Sequence, residues 1–147
     1  MELSAAQRER YERNLLVEGF TDRMQQALIA ARVAVVGAGG LGSAALNYLV
    51  AAGVGHLTLI ENDTVSLSNL QRQVLYTTAD MGRPKAEVAA MRLSRLNPGC
   101  DIRVVTDRLT AANAAGLLGG HDAVVDCTDN YDARYVIDDF CREAEVP

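Results

Sequence analysis

Apolar residues fall along this chain in two rhythms that take turns. Short apolar runs at 33–36, 57–61, about 102–106 and 122–126 read as strands. Helical spacing fills the gaps, at about 41–52, from Pro84 to about Leu96, near 111–118, and from about Tyr131 to Glu143. Strand and helix in alternation imply right-handed crossovers and a parallel sheet covered on both faces. Ahead of the alternation, Ser4 to about Val17 reads as a charged amphipathic helix with Tyr11, Leu15 and Leu16 on its apolar side. Thr21 is placed to cap a second short helix through Ile29. Asn62 to Gly82 is polar, and no internal repeat or low-complexity tail interrupts the pattern. The expected fold class is α/β, a doubly wound, mainly parallel sheet with an N-terminal helical arm. Four strands make a thin sheet, and "CREAEVP" comes where another strand is due. The 147 residues are therefore expected to be the first part of a larger fold.

Composition narrows the function. A hydrophobic share of 49% over 147 residues suits one domain with one core. A formal net charge of −5 and a pI of about 5.0 argue against nucleic acid as the main partner, because a phosphate backbone needs a basic surface. A small anion needs only a local positive cluster and stays open. The longest uncharged stretch, Val33 to Ile60, is long enough to suggest a membrane span. Its six glycines, with Ser43, Asn47 and His56, fit strand–turn–helix–strand better. The charged N-terminus "MELSAAQRERYERN" has no apolar signal region, so a cytoplasmic location without membrane is expected. Cys100, Cys127 and Cys141 form no CxxC pair, which leaves no disulfide framework or zinc site to propose; each is expected to be a small buried hydrophobe.

The chemistry begins at "VAVVGAGGLGSAALNYL". Gly37, Gly39 and Gly42 match G-x-G-x-x-G directly after a strand and opening a helix. Such glycines permit a tight turn and bring backbone N–H groups to phosphate oxygens at the positive end of the helix. Glu61, nineteen residues beyond Gly42, ends the second strand, where an acid accepts bonds from ribose hydroxyls. A glycine turn that serves only helix–strand packing is the bland reading. To this point a nicotinamide-dependent oxidoreductase fits equally well.

The later segments separate the readings. "ENDTVSLSNLQRQ" puts Asn69 and Arg72 three apart, on one face if that piece is helical. "GRPKAEVAA" opens a helix with Pro84 at its first position and Lys85 next, where a lysine opposes the helix dipole unless an anion offsets it. Solvated surface charges are the alternative for both cations. "VVDCTDN" ends the fourth strand with Asp126, Asp129 and Asn130, at the sheet end where ligands bind. A carboxylate there beside phosphates suits Mg²⁺, a hard cation with oxygen ligands, and Asp129 is the candidate. Its alternative role is to cap the helix from Tyr131.

Taken together, "RYERNLL", "VGAGGLGS", "LTLIENDTVSLSNLQRQ", "GRPK" and "DCTDN" resemble, in order and spacing, the MoeB/ThiF/HesA family, bacterial relatives of the ubiquitin-activating enzymes. The resemblance covers the whole chain. It implies a Rossmann-like ATP-binding domain over 31–147 behind a helical arm over 1–30. It implies an adenylyltransferase that activates the C-terminal glycine carboxylate of a small ubiquitin-like sulfur carrier ending in Gly-Gly, with release of pyrophosphate. Molybdenum cofactor and thiamine synthesis are the family's usual pathways. On this resemblance Gly37, Gly39, Gly40 and Gly42 form the phosphate turn and Glu61 holds the ribose. Asn69, Arg72 and Lys85 bind phosphates, Asp129 holds Mg²⁺, and Arg13 reaches in from the second subunit of a homodimer. The family usually has Asp where this chain has Glu61; Asp63 matches the motif's second acid. Its thioester cysteine and CxxC zinc ligands lie beyond the equivalent of Pro147, so zinc belongs to no residue here. A non-catalytic scaffold of the same fold is the remaining competitor, and such a subunit is expected to lack the phosphate-binding residues.

Overall fold

Strands β1 (Arg32–Val36), β2 (His56–Ile60), β3 (Asp101–Val105) and β4 (Ala123–Asp126) form one parallel sheet in the order β3-β2-β1-β4, in a computed structural model that describes residues 2–147. The register pairs Val36 with Ile60 on one side and with Asp126 on the other. β1 and β2 are buried along nearly their whole length, as expected of strands covered on both faces. Helices α4 (Gly40–Ala52) and α5 (Lys85–Leu96) cover one face, packing Leu46, Val50, Val88 and Leu93 against Val33, Val35, Leu57 and Leu59. Helices α6 (Ala114–Leu118) and α7 (Tyr131–Ala144) cover the other, where Leu118 and Ile137 meet Ala34, Val36 and Ile60. The two-rhythm pattern thus becomes a doubly wound α/β layer structure. The chain winds outward from β1 through β2 to β3, then returns to β1's other side with β4. That reversal opens a crevice beyond the carboxyl ends of β1 and β4.

The helical arm differs from the expected single helix over Ser4–Val17. It divides into α1 (Ala5–Arg10) and α2 (Glu12–Leu15) at Tyr11, followed by α3 (Asp22–Ala30). Ser4 starts α1 with a capping box to Gln7, and Thr21 caps α3 as expected. The break at Tyr11 has a long-range cause. Tyr11 is buried and its hydroxyl accepts a bond from Asn97 Nδ2 at 3.0 Å; Asn97 Nδ2 also donates to Val50 O at 2.9 Å. Asn14 Nδ2 donates to Gln25 Oε1 at 2.8 Å and to Ala52 O at 3.1 Å, and Gln25 Nε2 donates to Ala52 O at 2.9 Å. These polar bonds fasten the arm to the end of α4. Only Tyr11 of the expected apolar trio is buried, while Leu16 is exposed.

Three further details correct the expectation. Pro84 is the N-cap of α5 and Lys85 its first residue, rather than Pro84 standing inside the helix. Residues 62–82 hold two short 3₁₀ turns, Leu67–Asn69 and Thr78–Asp80. Asn69 ends the first of these and Arg72 lies in the turn after it, so the two share no helical face. No helix among the described residues is long and apolar enough to cross a membrane.

Candidate active site

The glycine turn shapes the floor of the crevice through close backbone approach. Gly37 has φ +97°, and a Cβ on it would stand 2.7 Å from Cys127 O. A Cβ on Gly42 would stand 2.1 Å from Gly37 O, so only glycine lets α4 start this close to β1. Gly39 is the N-cap of α4 and no side chain caps the helix, which leaves its leading N–H groups facing the crevice.

Two side chains hold the turn in shape. Glu61 accepts from Ala38 N–H through Oε2 and from Asp63 N–H through Oε1, both at 2.8 Å. Tyr76 donates its hydroxyl to Ala38 O at 2.8 Å. Burial, then the charges of Glu61 and Asp63, push the Tyr76 phenol far above its ordinary value, so it stays a donor. Glu61, expected as a ribose acceptor, therefore also braces the turn; its carboxylate retains lone pairs for a hydroxyl.

Around this floor lies a cleft of about 990 Å³. Of the residues singled out in the sequence, Gly37, Gly39, Gly40, Glu61, Asp63, Arg72, Lys85 and Asp129 line it. Gly42 sits behind the turn, and Asn69 and Arg13 are not among the lining residues. Asn69 Oδ1 accepts from Ser66 Oγ at 2.9 Å. Arg13 is exposed on α2, 87% of its side chain open to solvent, with Glu12 4.0 Å away.

The cleft brings cations and carboxylates together, and some of them are paired. Lys85 is only 3% exposed, and its Nζ donates to Asp63 Oδ2 at 2.6 Å. That bond leads in holding the Asp63 carboxyl below the usual carboxylate range. Asp63 is thus the anion that offsets a lysine at a helix start. The Arg72 side chain lies across Gly40, and its Nη1 donates to Ser68 O at 3.4 Å. Across the cleft, Asp126 Oδ1 accepts from Thr128 N–H and Oγ1, which turns the chain at the end of β4. Asn130 caps α7 by accepting from Ala133 N–H at 2.9 Å. The capping role considered for Asp129 is therefore taken by its neighbour. The Asp129 carboxylate is exposed, lines the cleft and has no side-chain partner among the described residues. Burial, then the Asp126 charge, push the Cys127 thiol above its ordinary range, which fits the buried hydrophobe expected.

The sequence reading missed Gln73 and Tyr76, one and four residues after Arg72, and Asp107 to Ala111, which line the cleft after β3. Position at a strand's carboxyl end was the signal available for the second group.

The ThiF family pattern matches residues 11–147, spanning the arm from Tyr11, the turn, both cations and Asp129. The chain belongs to the ThiF family. It is 49% identical over 146 residues to the molybdopterin-synthase adenylyltransferase of Salmonella typhimurium, covering 99% of this chain and 59% of that protein. It is 42% identical over 138 residues to the sulfur carrier protein ThiS adenylyltransferase of Escherichia coli, covering 94% of this chain and 55% of that one. Among solved structures, Escherichia coli tRNA N6-threonylcarbamoyladenosine dehydratase, TcdA, in complex with ATP, superposes with a TM-score of 0.92 at 33% identity, over all of this chain and 60% of that chain. This ThiF-family chain thus spans somewhat over half the length of the relatives it matches.

Proposed function

We propose that this chain is the ATP-binding part of an enzyme that adenylates the C-terminal glycine carboxylate of a small ubiquitin-like sulfur carrier ending in Gly-Gly. The observation that carries this reading is the convergence of the uncapped start of α4, Arg72, Lys85 and the unpartnered Asp129 on one cleft. A nicotinamide-dependent oxidoreductase gives no account of two cations and a free carboxylate beside the same turn. A scaffold has no use for them. Identity favours the carrier over the tRNA substrate that TcdA's name carries, at 49% against 33%.

The residues present fit ATP. Bare N–H groups at the start of α4 suit phosphate oxygens, and Glu61 has acceptor capacity for ribose hydroxyls. They also fit Mg²⁺, which takes one or two carboxylates and completes its shell with phosphates and water. Asp129 would hold it, and bound there it would neutralise phosphate charge. The carrier carboxylate is ionised at neutral pH and needs no general base to attack the α-phosphorus. As the bond to pyrophosphate breaks, negative charge grows on the leaving group. Arg72 and Lys85, fixed over the turn and at the start of α5, stabilise that charge. Lys85 does this by sharing itself with Asp63, whose carboxylate keeps the buried ammonium paired while the cleft is empty. Positioning supplies much of the remaining acceleration. Asn69, which is not among the residues lining the cleft, and Arg13, from the second subunit of a homodimer, complete the proposed phosphate shell. A helical arm over 1–30, an ATP-binding domain over 31–147 and a cytoplasmic location belong to the same reading.

The deciding experiment is ATP–pyrophosphate exchange against a panel of Gly-Gly carriers, with ThiS among them. Exchange that appears only with a carrier supports the reading. Binding of NAD in preference to ATP, with no exchange, overturns it.

A further inference from the structure

Among the described residues, Gln73 holds the buried side-chain polar atom that the fold leaves without a partner. It is 4% exposed, and its Oε1 is buried without a hydrogen-bond partner among the described residues. A buried amide oxygen left unpaired carries its full desolvation cost, and folded proteins keep few such groups without a reason. Its location gives the other half of the carboxamide, Nε2, a place at the site. Gln73 lines the cleft, and its carboxamide lies over the glycine turn: a Cβ on Gly39 would stand 3.4 Å from Nε2 and 3.9 Å from Cδ. Gly39 is the N-cap of α4, so this carboxamide stands beside the helix N-terminus on which an anion would be seated.

The segment that carries Gln73 is built to hold it there. Gln73 N–H donates to Asn69 O at 2.9 Å and Gln73 O accepts from Tyr76 N–H at 3.1 Å. Three residues on, the Tyr76 hydroxyl grips Ala38 O. One residue before, the Arg72 side chain lies over Gly40. The backbone on both sides is therefore anchored to the same turn, and the carboxamide has little freedom to swing away.

We infer that Gln73 is a nucleotide-binding residue whose carboxamide N–H donates to a phosphoryl oxygen of the nucleotide seated over Gly39 and Gly40. This rests on the ATP reading given above. A neutral donor suits that place. Arg72 and Lys85 already supply positive charge there, so the position needs only a directed donor. An amide adds direction without charge, and its Nε2 N–H, for which no described residue is an acceptor, gains one when the site fills.

The test uses Gln73→Leu, which keeps the approximate size and removes the amide, and Gln73→Glu, which keeps the shape and removes the donor. Binding of ATP, AMP and adenosine to each form of the protein is measured by calorimetry or by NMR titration, with thermal unfolding of the unliganded forms. Gln73→Leu is expected to bind ATP and AMP about 10- to 100-fold more weakly, the effect of one hydrogen bond to a charged group. Adenosine, which lacks phosphate, should bind both forms alike. The unliganded Leu form should melt no lower than wild type, because an unpaired buried polar atom has gone. Gln73→Glu should lose more than Gln73→Leu, because it brings a carboxylate against phosphate. Unchanged ATP binding in both variants overturns the inference. So does an equal loss for adenosine and ATP, which would mean that the turn had collapsed. Failure of the wild-type protein to bind ATP at all would instead sink the ATP reading, a result visible before any variant is made.

Discussion

Asp129 stands out at the scale of single residues because its neighbours have taken every structural task. Asn130 caps α7, Asp126 turns the chain at the end of β4, and the Asp129 carboxylate is left facing the cleft. Removing it should therefore leave the fold alone. Asp129→Ala is expected to keep the wild-type melting temperature and to lose on the order of 10²–10³ in carrier-dependent pyrophosphate exchange. Exchange near the wild-type rate would reduce Asp129 to a surface carboxylate. Arg72 was legible only from its spacing to Asn69 and from the family resemblance. Lys85 and Asp129 could be singled out in the sequence because one opposes a helix dipole and the other follows a strand end. Gln73 could not, because a glutamine in a polar segment reads as solvated. Only the tertiary fold, which folds residues 72–76 back over the glycine turn, shows it to be buried.

At the scale of elements, the decisive contact is between the first turn of α4 and the end of β1. The glycine pattern made that contact legible in advance, since Gly37 and Gly42 serve one close approach. A methyl group at Gly42 would enter Gly37 O at 2.1 Å, and that atom is backbone with nowhere to go. Gly42→Ala should cost about 1–3 kcal/mol of stability, as overpacking does. It should also tilt the start of α4 and weaken ATP binding. Gly116 in α6 makes a fair control, because a Cβ there meets nothing within 4 Å. Gly116→Ala should be neutral or stabilise by about 0.5–1 kcal/mol in chemical denaturation. Equal midpoints for the two variants would show that α4 has room to spare. Strand and helix positions were readable from periodicity because burial on both faces imposes it. The break of the arm at Tyr11 was not, because its cause, Asn97, lies 86 residues away in the chain.

The whole molecule raises the question of what Arg13 is for. The arm stands outside the sheet, and its polar bonds to Ala52 and, through Asn97, to Val50 fix it against the far end of α4. Asn14 is tied down, and Arg13 beside it points into solvent, with a single exposed pair to Glu12 that contributes little. Leu16 and Val17 follow it at 66% and 60% exposure, an apolar pair suited to a self-complementary contact between two copies. If such a dimer seats each arm over the partner's cleft, Arg13 acts across the interface. The check is complementation between two inactive forms, Arg13→Ala and Lys85→Ala, mixed under conditions in which subunits exchange. If Arg13 acts across the interface, each mixed dimer has one site with Lys85 from one chain and Arg13 from the other. Random pairing makes half of the dimers mixed, each with one working site of two, so about a quarter of wild-type exchange activity should return. If Arg13 serves its own chain, every site in the mixture keeps a defect and nothing returns. Subunit exchange followed independently, by mass-labelled chains, makes a null result decisive against action in trans.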